Sequence, residues 1–183
     1  IPDVKRVVEL FAGIEMPEYS AVDHDKVFMS VDAPKKKFHM YGDRTLISNG
    51  KDFDVEDYKK YTNERVVAHS FAKRSLYNEK TFMVGANARM INMGKRLQGE
   101  AADLFKEHYD KAWLRNPLYN NLAQAIELVW AMESLPEACD KVMSMDDPPH
   151  AKPTRLTGSG TGAVEAPRGT LYHHYELKDG LVD

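Results

Sequence analysis

The stretch best suited to chemistry is Ala166-Pro167-Arg168-Gly169, within the last twenty-odd residues. Proline locks its own φ and has no amide hydrogen. It also pushes the preceding Ala166 toward an extended conformation. Gly169 tolerates positive φ and lets another group come close to the backbone. The combination predicts a stiff bend that presents one guanidinium, Arg168, at a fixed angle. Arginine keeps its charge and carries a preorganised fork of donors. The chemistry this suits is electrostatic stabilisation of an anionic group. Taken on its own, the commonest role of such an arginine is a structural salt bridge, and Glu165 is the candidate partner.

Other reactive side chains point to blander roles. His173 and His174 are adjacent in a strand-like pattern, so they face opposite sides and do not chelate one ion. Both read as satisfied structural histidines, one toward the core and one toward a subunit contact or proton path. His69 reads the same way. The single cysteine, Cys139, reads as a small buried hydrophobe. No H-E-x-x-H, P-loop or dinucleotide-binding glycine motif occurs. No Ser/His/Asp arrangement follows from spacing.

The elements that must position the bend can be read in part. Leu171, His173, Tyr175 and Leu177 alternate with Tyr172, His174 and Glu176, which predicts a strand. Asp179-Gly180 is a turn signal, and Leu181-Val182 starts a return strand. Lys152 to Gly162 is polar and rich in Thr, Gly and Ser, so it reads as a connecting segment. Asp146-Asp147-Pro148-Pro149-His150 reads as a loop. Pro2 to Phe11 places Val4, Val7, Val8 and Phe11 on one helical face, with Gly13 as its stop. Glu15 to Pro34 has no clean period. Lys35-Lys36-Lys37 is a solvated basic run. Phe38 to Tyr41 and Thr45 to Ile47 predict two short strands joined by Gly42-Asp43, with a second turn at Asn49-Gly50. Asp54 predicts an N-cap and a helix from Val55 to about Val67. Thr81 to Val84 predicts a strand ended by a tight bend at Gly85. A helix follows from Glu100 to Trp113. Another, opened by Pro117, carries the stripe Leu118, Leu122, Ala125, Ile126, Val129 and Met132. Pro136 is expected to begin a separate short helix reaching Met143.

Composition sets the class. The chain has 183 residues, 43% hydrophobic and 29% charged, which fits one soluble globular unit with a real core. A net charge of −3 argues against nucleic acid as a partner. No apolar run is long enough to span a bilayer. One cysteine leaves no internal disulfide and fits a reducing compartment. The chain begins with Ile1 and stops at Asp183 just as a return strand starts, so residues 1 to 183 are expected to be a single fragment of something longer.

Four segments in order resemble one family. Glu165-Ala-Pro-Arg-Gly-Thr-Leu-Tyr-His-His-Tyr-Glu176 is similar to the E-A-P-R-G-x-L-x-H-H-Y-E segment of nickel–iron hydrogenase large subunits. The nearest branch is the cytoplasmic, cofactor-coupled or viologen-reducing one. Glu64-Arg-Val-Val-Ala-His-Ser-Phe-Ala-Lys73 resembles the family's E-x-V-V-x-H-S-x-A-K. Val84-Gly-Ala-Asn-Ala-Arg89 resembles V-G-A/P-L-A-R, with Asn87 in place of an apolar residue. Leu118 to Glu133 resembles the family's L-x-x-x-x-A-R-x-I-E-L-L-x-A-x-E helix, with Gln124 where a basic residue is expected. The matches run from about Asp54 to Asp183, and residues 1 to 50 add little.

The resemblance implies an α+β fold with a mainly helical core and short antiparallel hairpins. It implies reversible oxidation of H2 to protons and electrons at a Ni–Fe centre with CN and CO ligands. That centre is held in the family by two C-x-x-C pairs, and this sequence has neither. The chain is therefore expected to supply no metal ligand. Instead, Ala166, Pro167, Arg168 and Gly169 would form the outer wall beside the metals. Arg168 would be the catalytic residue, and backbone amides around it would donate to a cyanide nitrogen. A role for Arg168 as a base would require a group of very high pKa to give up its proton, so the electrostatic role is favoured. The partners implied are the rest of the large subunit, an iron–sulfur small subunit and an electron-acceptor subunit. Two alternatives remain at this stage. One is the quinone-site respiratory-complex subunit of the same fold, which usually has serine before the proline and an acidic residue after P-R-G. Ala166, Thr170 and His173-His174 favour the hydrogenase. The other is a non-catalytic interaction domain.

Overall fold

The computed structural model describes residues 1–32, 37–62, 64–146 and 153–183. Lys35 and Lys36 of the basic run and the predicted loop at 147–150 lie outside the described residues, while Lys37 is exposed. The elements in order are α1 (Pro2–Ala12), β1 (Val27–Asp32), β2 (Tyr41–Gly42), β3 (Arg44–Ile47), β4 (Asp52–Asp54), α2 (Tyr58–Tyr61), β5 (Arg65–Val67), β6 (Ser70–Arg74), β7 (Phe82–Met83), α3 (Ala86–Met93), α4 (Gly99–His108), α5 (Tyr119–Ser144), β8 (Gly158–Ala166), β9 (Gly169–Lys178) and β10 (Leu181–Val182). The architecture is α+β.

The larger core is helical. Val8 of α1, Met90 and Met93 of α3, Leu104 and Phe105 of α4, and Leu122, Ile126 and Val129 of α5 meet around the fully buried Trp113. The Trp113 indole N–H is satisfied by the His108 carbonyl at 3.2 Å, and its ring stacks on Tyr119. A smaller apolar cluster of Met29, Ile47, Phe53 and Tyr77 lies against a sheet of order β4-β3-β1-β7. Strand β1 is its pivot, antiparallel to β3 and parallel to β7. Its residues Phe28, Met29, Ser30 and Val31 are all buried. A strand covered on both faces has no polar alternation, which is why Glu15 to Pro34 showed no period.

The second sheet, β10-β9-β8-β2, carries the bend. Its central ladder pairs Gly158 with Leu177 and continues without a break to Ala166 opposite Gly169. The Gly/Ser-rich segment read as a connection is therefore largely strand β8. Low intrinsic β-propensity is overridden there by pairing along the whole length of β9. The Asp179-Gly180 turn forms as expected, with φ of 52° and 84°, values suited to a hairpin turn with two positive φ angles. The predicted pairing of two strands around Gly42-Asp43 does not form. β2 joins β8, whereas β3 joins β1 and β4.

Two helix expectations are also corrected. Asp54 does cap, accepting from the Glu56 N–H at 3.1 Å, but the helix it opens is short. A 3-10 turn at Val55–Asp57 and the single turn α2 give way to strand β5, where Val66 and Val67 prefer extended backbone. Pro136 does not start a new helix but lies inside α5, which runs 26 residues. The one helical N–H withheld there sits in an exposed stretch rather than in the core.

The two sheets are joined by Tyr172. Its hydroxyl meets the buried Thr45 hydroxyl at 2.7 Å, and its ring stacks on Tyr58 at 4.8 Å. Burial pushes the phenol up to about 12. The unfolded chain releases this proton near pH 10 while the folded chain retains it, so stability falls as pH rises between these values. The expected loss is at most about 2 kcal/mol by pH 12, and Tyr172→Phe should flatten that part of the curve. Denaturant unfolding of the full-length subunit at pH 9 to 12 measures it.

Candidate functional site

The Ala166–Gly169 bend is the tip of the β8–β9 hairpin, with Pro167 and Arg168 as its two turn residues. Gly169 has φ of 152°, and a Cβ placed on it would lie 2.6 Å from Val84 Cγ2. Gly85, at φ 90°, ends β7 and opens α3. A Cβ there would come within 3.3 Å of the Arg168 carbonyl oxygen. Two glycines thus let the β7–α3 bend and the hairpin tip pack closely against each other.

Behind the tip lies Arg89 on α3, with no solvent exposure. A guanidinium has five N–H donors in a fixed fork. Each one finds an acceptor. Nε and one Nη2 hydrogen go to the two carboxylate oxygens of Glu127, the latter at 2.7 Å. Nη1 donates to Glu165 Oε2 at 2.7 Å and to the Ala166 carbonyl at 2.9 Å. Nη2 also donates to the Pro167 carbonyl at 3.2 Å. The two carbonyls that precede Arg168 are therefore tied to a buried cation. Glu165 is itself saturated: its Oε1 accepts from the Val31 N–H at 2.6 Å and from the Thr170 hydroxyl at 2.8 Å. Gln124 reaches the Pro167 carbonyl at 3.4 Å, a weak contact from the position where the family pattern has a basic residue.

Burial works against the charge on Arg89, but hydrogen bonds and attraction from Glu127 and Glu165 outweigh it, and the group is raised above its ordinary value. Burial likewise lifts the Glu127 carboxyl, with Arg89 pulling against it. Such a buried ionic set adds little net stability, because desolvation offsets the attraction. What it contributes is a single geometry for the hairpin tip.

The salt bridge expected between Arg168 and Glu165 does not form. Glu165 points inward and is used by Arg89, Val31 and Thr170. Arg168 points outward, is exposed, and its guanidinium has no hydrogen bond or ion pair with any described residue. The other candidates fall apart from it. His173 lies beside Tyr175 on one sheet face, with Nδ1 3.1 Å from the Tyr175 hydroxyl. His174 lies on the other, 2.8 Å from the Thr161 hydroxyl. His69 sits exposed in the β5–β6 turn. Cys139, expected to be buried, is exposed on α5. Asn87 is fully buried. Its amide donates to the Trp113 carbonyl at 3.1 Å, and its own carbonyl oxygen has no hydrogen-bond partner among the described residues.

Among the described residues no group of three or more His, Cys, Asp or Glu is placed to hold a metal ion. The hairpin tip offers one exposed cation, Arg168, that pairs with no described residue. Arg89 and Glu127 were missed as site residues in the sequence, although a signal was there. Glu127 interrupts the stripe of Leu122, Ala125, Ile126 and Val129, and charged residues almost never enter a buried stripe unless paired.

Replacing Gly169 by alanine should destabilise the full-length subunit by about 1–3 kcal/mol through backbone strain and the clash with Val84. Gly160, whose Cβ position is open, is the control: G160A should change stability by less than about 0.5 kcal/mol in the same denaturation assay.

A family model described as nickel-dependent hydrogenase matches residues 10–183. The chain is 36% identical over 183 residues to the sulfhydrogenase 1 subunit alpha of Pyrococcus furiosus, covering 100% of this chain and 42% of that protein. It is 39% identical over 145 residues to the sulfhydrogenase 2 subunit alpha of the same organism, covering 79% and 34%. The fold aligns with the Ni-Fe-Se hydrogenase of D. vulgaris Hildenborough in the reduced state, with a TM-score of 0.61 at 20% identity, over 99% of this chain and 45% of that one. The chain spans less than half the length of these relatives. No helix among the described residues is long and apolar enough to cross a membrane. With a family match over nearly its whole length, the chain belongs to the nickel-dependent hydrogenase family.

Proposed function

We propose that residues 1 to 183 are a fragment of a hydrogenase large subunit and supply the Pro–Arg wall of its active site rather than its metal ligands. The observation that carries this reading is the outward Arg168, paired with no described residue, on a tip whose inner side is hydrogen-bonded. The nickel–iron centre, held by cysteines elsewhere in the large subunit, supplies heterolytic cleavage of hydrogen. Arg168 places a permanent positive charge against the anionic ligands of that centre. A permanent charge on a backbone held in one shape is in place before charge develops during the reaction. The planar fork of five N–H donors on Arg168 suits it to a charge and donor role there rather than to that of a base. Pro167 and Gly169 keep the turn in one shape, and Ala166 passes the constraint from the ladder into it.

The full subunit would work in the cytoplasm with an iron–sulfur small subunit that carries electrons away and a further subunit that passes them to a soluble acceptor. The names of the relatives support such assemblies, since they include an NAD-reducing hydrogenase subunit from Cupriavidus necator that is 37% identical over 143 residues.

Arg168→Lys in the complete enzyme tests the reading. Lysine keeps the charge but loses the planar fork. Hydrogen turnover per bound nickel should fall about 10- to 100-fold. Turnover equal to that of the native enzyme would exclude Arg168 from the chemistry.

A further inference from the structure

The geometry points to Arg89 as the positioning residue for Arg168, acting through the two carbonyls that precede it. This rests on the reading that Arg168 faces the metal centre. Three observations combine. Arg89 is fully buried, so its role is internal. Its donors are divided between carboxylates on two separate elements, α5 and β8, and the carbonyls of Ala166 and Pro167. It leaves no donor free for any other duty. The peptide joining Pro167 to Arg168 is thereby held at its oxygen, and a planar peptide with a fixed oxygen also fixes the Arg168 N–H and the direction of its Cα. Gly85 limits the next peptide from the other side, since a Cβ added there would meet the Arg168 carbonyl oxygen at 3.3 Å. Arg168 itself has no side-chain partner among the described residues. The direction in which its side chain leaves the main chain is therefore set by the tip, and the tip by Arg89.

Lysine cannot take over this role, because an ammonium is a point charge with three donors. Two carboxylates and two carbonyls cannot be served at once from one nitrogen at these positions. In the complete enzyme, Arg89→Lys should lower hydrogen turnover per bound nickel about 10- to 100-fold, with KM for hydrogen little changed, as expected when a reacting-centre group is displaced by about an ångström. The infrared bands of the iron-bound cyanides should shift in the same sense as in Arg168→Lys. The double variant Arg89→Lys/Arg168→Lys should be no slower than Arg168→Lys alone, because both substitutions remove the same interaction. A purely structural Arg89 would instead reduce the yield of nickel-loaded enzyme while leaving turnover per nickel, KM and the cyanide bands native. That result would overturn the inference.

If Arg89→Lys does not accumulate, Glu127→Gln is the substitute. It keeps the shape of the side chain but spoils the paired contact, and it should cost about 3- to 10-fold per nickel. Native turnover and native bands in Glu127→Gln would count against the inference equally. Loss in Arg168→Lys without loss in Arg89→Lys defeats the positioning role alone. Native behaviour of Arg168→Lys defeats the proposed function as well.

Discussion

A guanidinium buried without water must satisfy every donor within the protein or remain neutral, and arginine does not become neutral. That constraint governs the centre of this chain. Arg89 meets it by drawing together α3, α5 and the end of β8 around one point. Each of these elements has another reason to be where it is. α3 packs on β1, α5 carries the core stripe, and β8 follows the β9 ladder. In this placement all five N–H groups find oxygen. The ionic set acts as a gauge of register between the helical core and the hairpin.

The hairpin tip inherits its rigidity from that gauge. Its inner surface is committed: Glu165 to Arg89, Val31 and Thr170, and the Ala166 and Pro167 carbonyls to Arg89. Its outer surface bears Arg168. A cation next to a strand-borne carboxylate would normally pair with it and be neutralised. Here the carboxylate is already taken by a second arginine, so the outer charge stays available.

The sheets show why the tip does not drift sideways. Tyr172, on the inner face of β9, is held by the Thr45 hydroxyl and by stacking on Tyr58. The opposite face of β9 carries Leu171, Tyr175 and Leu177, all exposed. One side of the ladder is thus fixed to the first sheet, and the fixed side is the one that bears Glu165.

Much of this chain was decided locally and could be read without coordinates. Pro167 and Gly169 specify a turn by backbone chemistry alone, and Asp179-Gly180 does the same at the far end of β9. The apolar stripe from Leu122 to Val129 specifies a buried helix face, and the ordered family segments specify the family. What local chemistry could not decide was anything set by a distant partner. β1 is buried on both faces, so its strand character had no alternation to display. β8 is glycine-rich and becomes a strand only because β9 lies beside it. The partner of Glu165 was misassigned to Arg168, its neighbour in sequence, when the true partner is Arg89 on another element. Sequence proximity governs turns and helix faces because they are stabilised within a few residues. Buried charge is settled by whichever opposite charge the fold brings into the same dry space, and only the tertiary structure decides which that is.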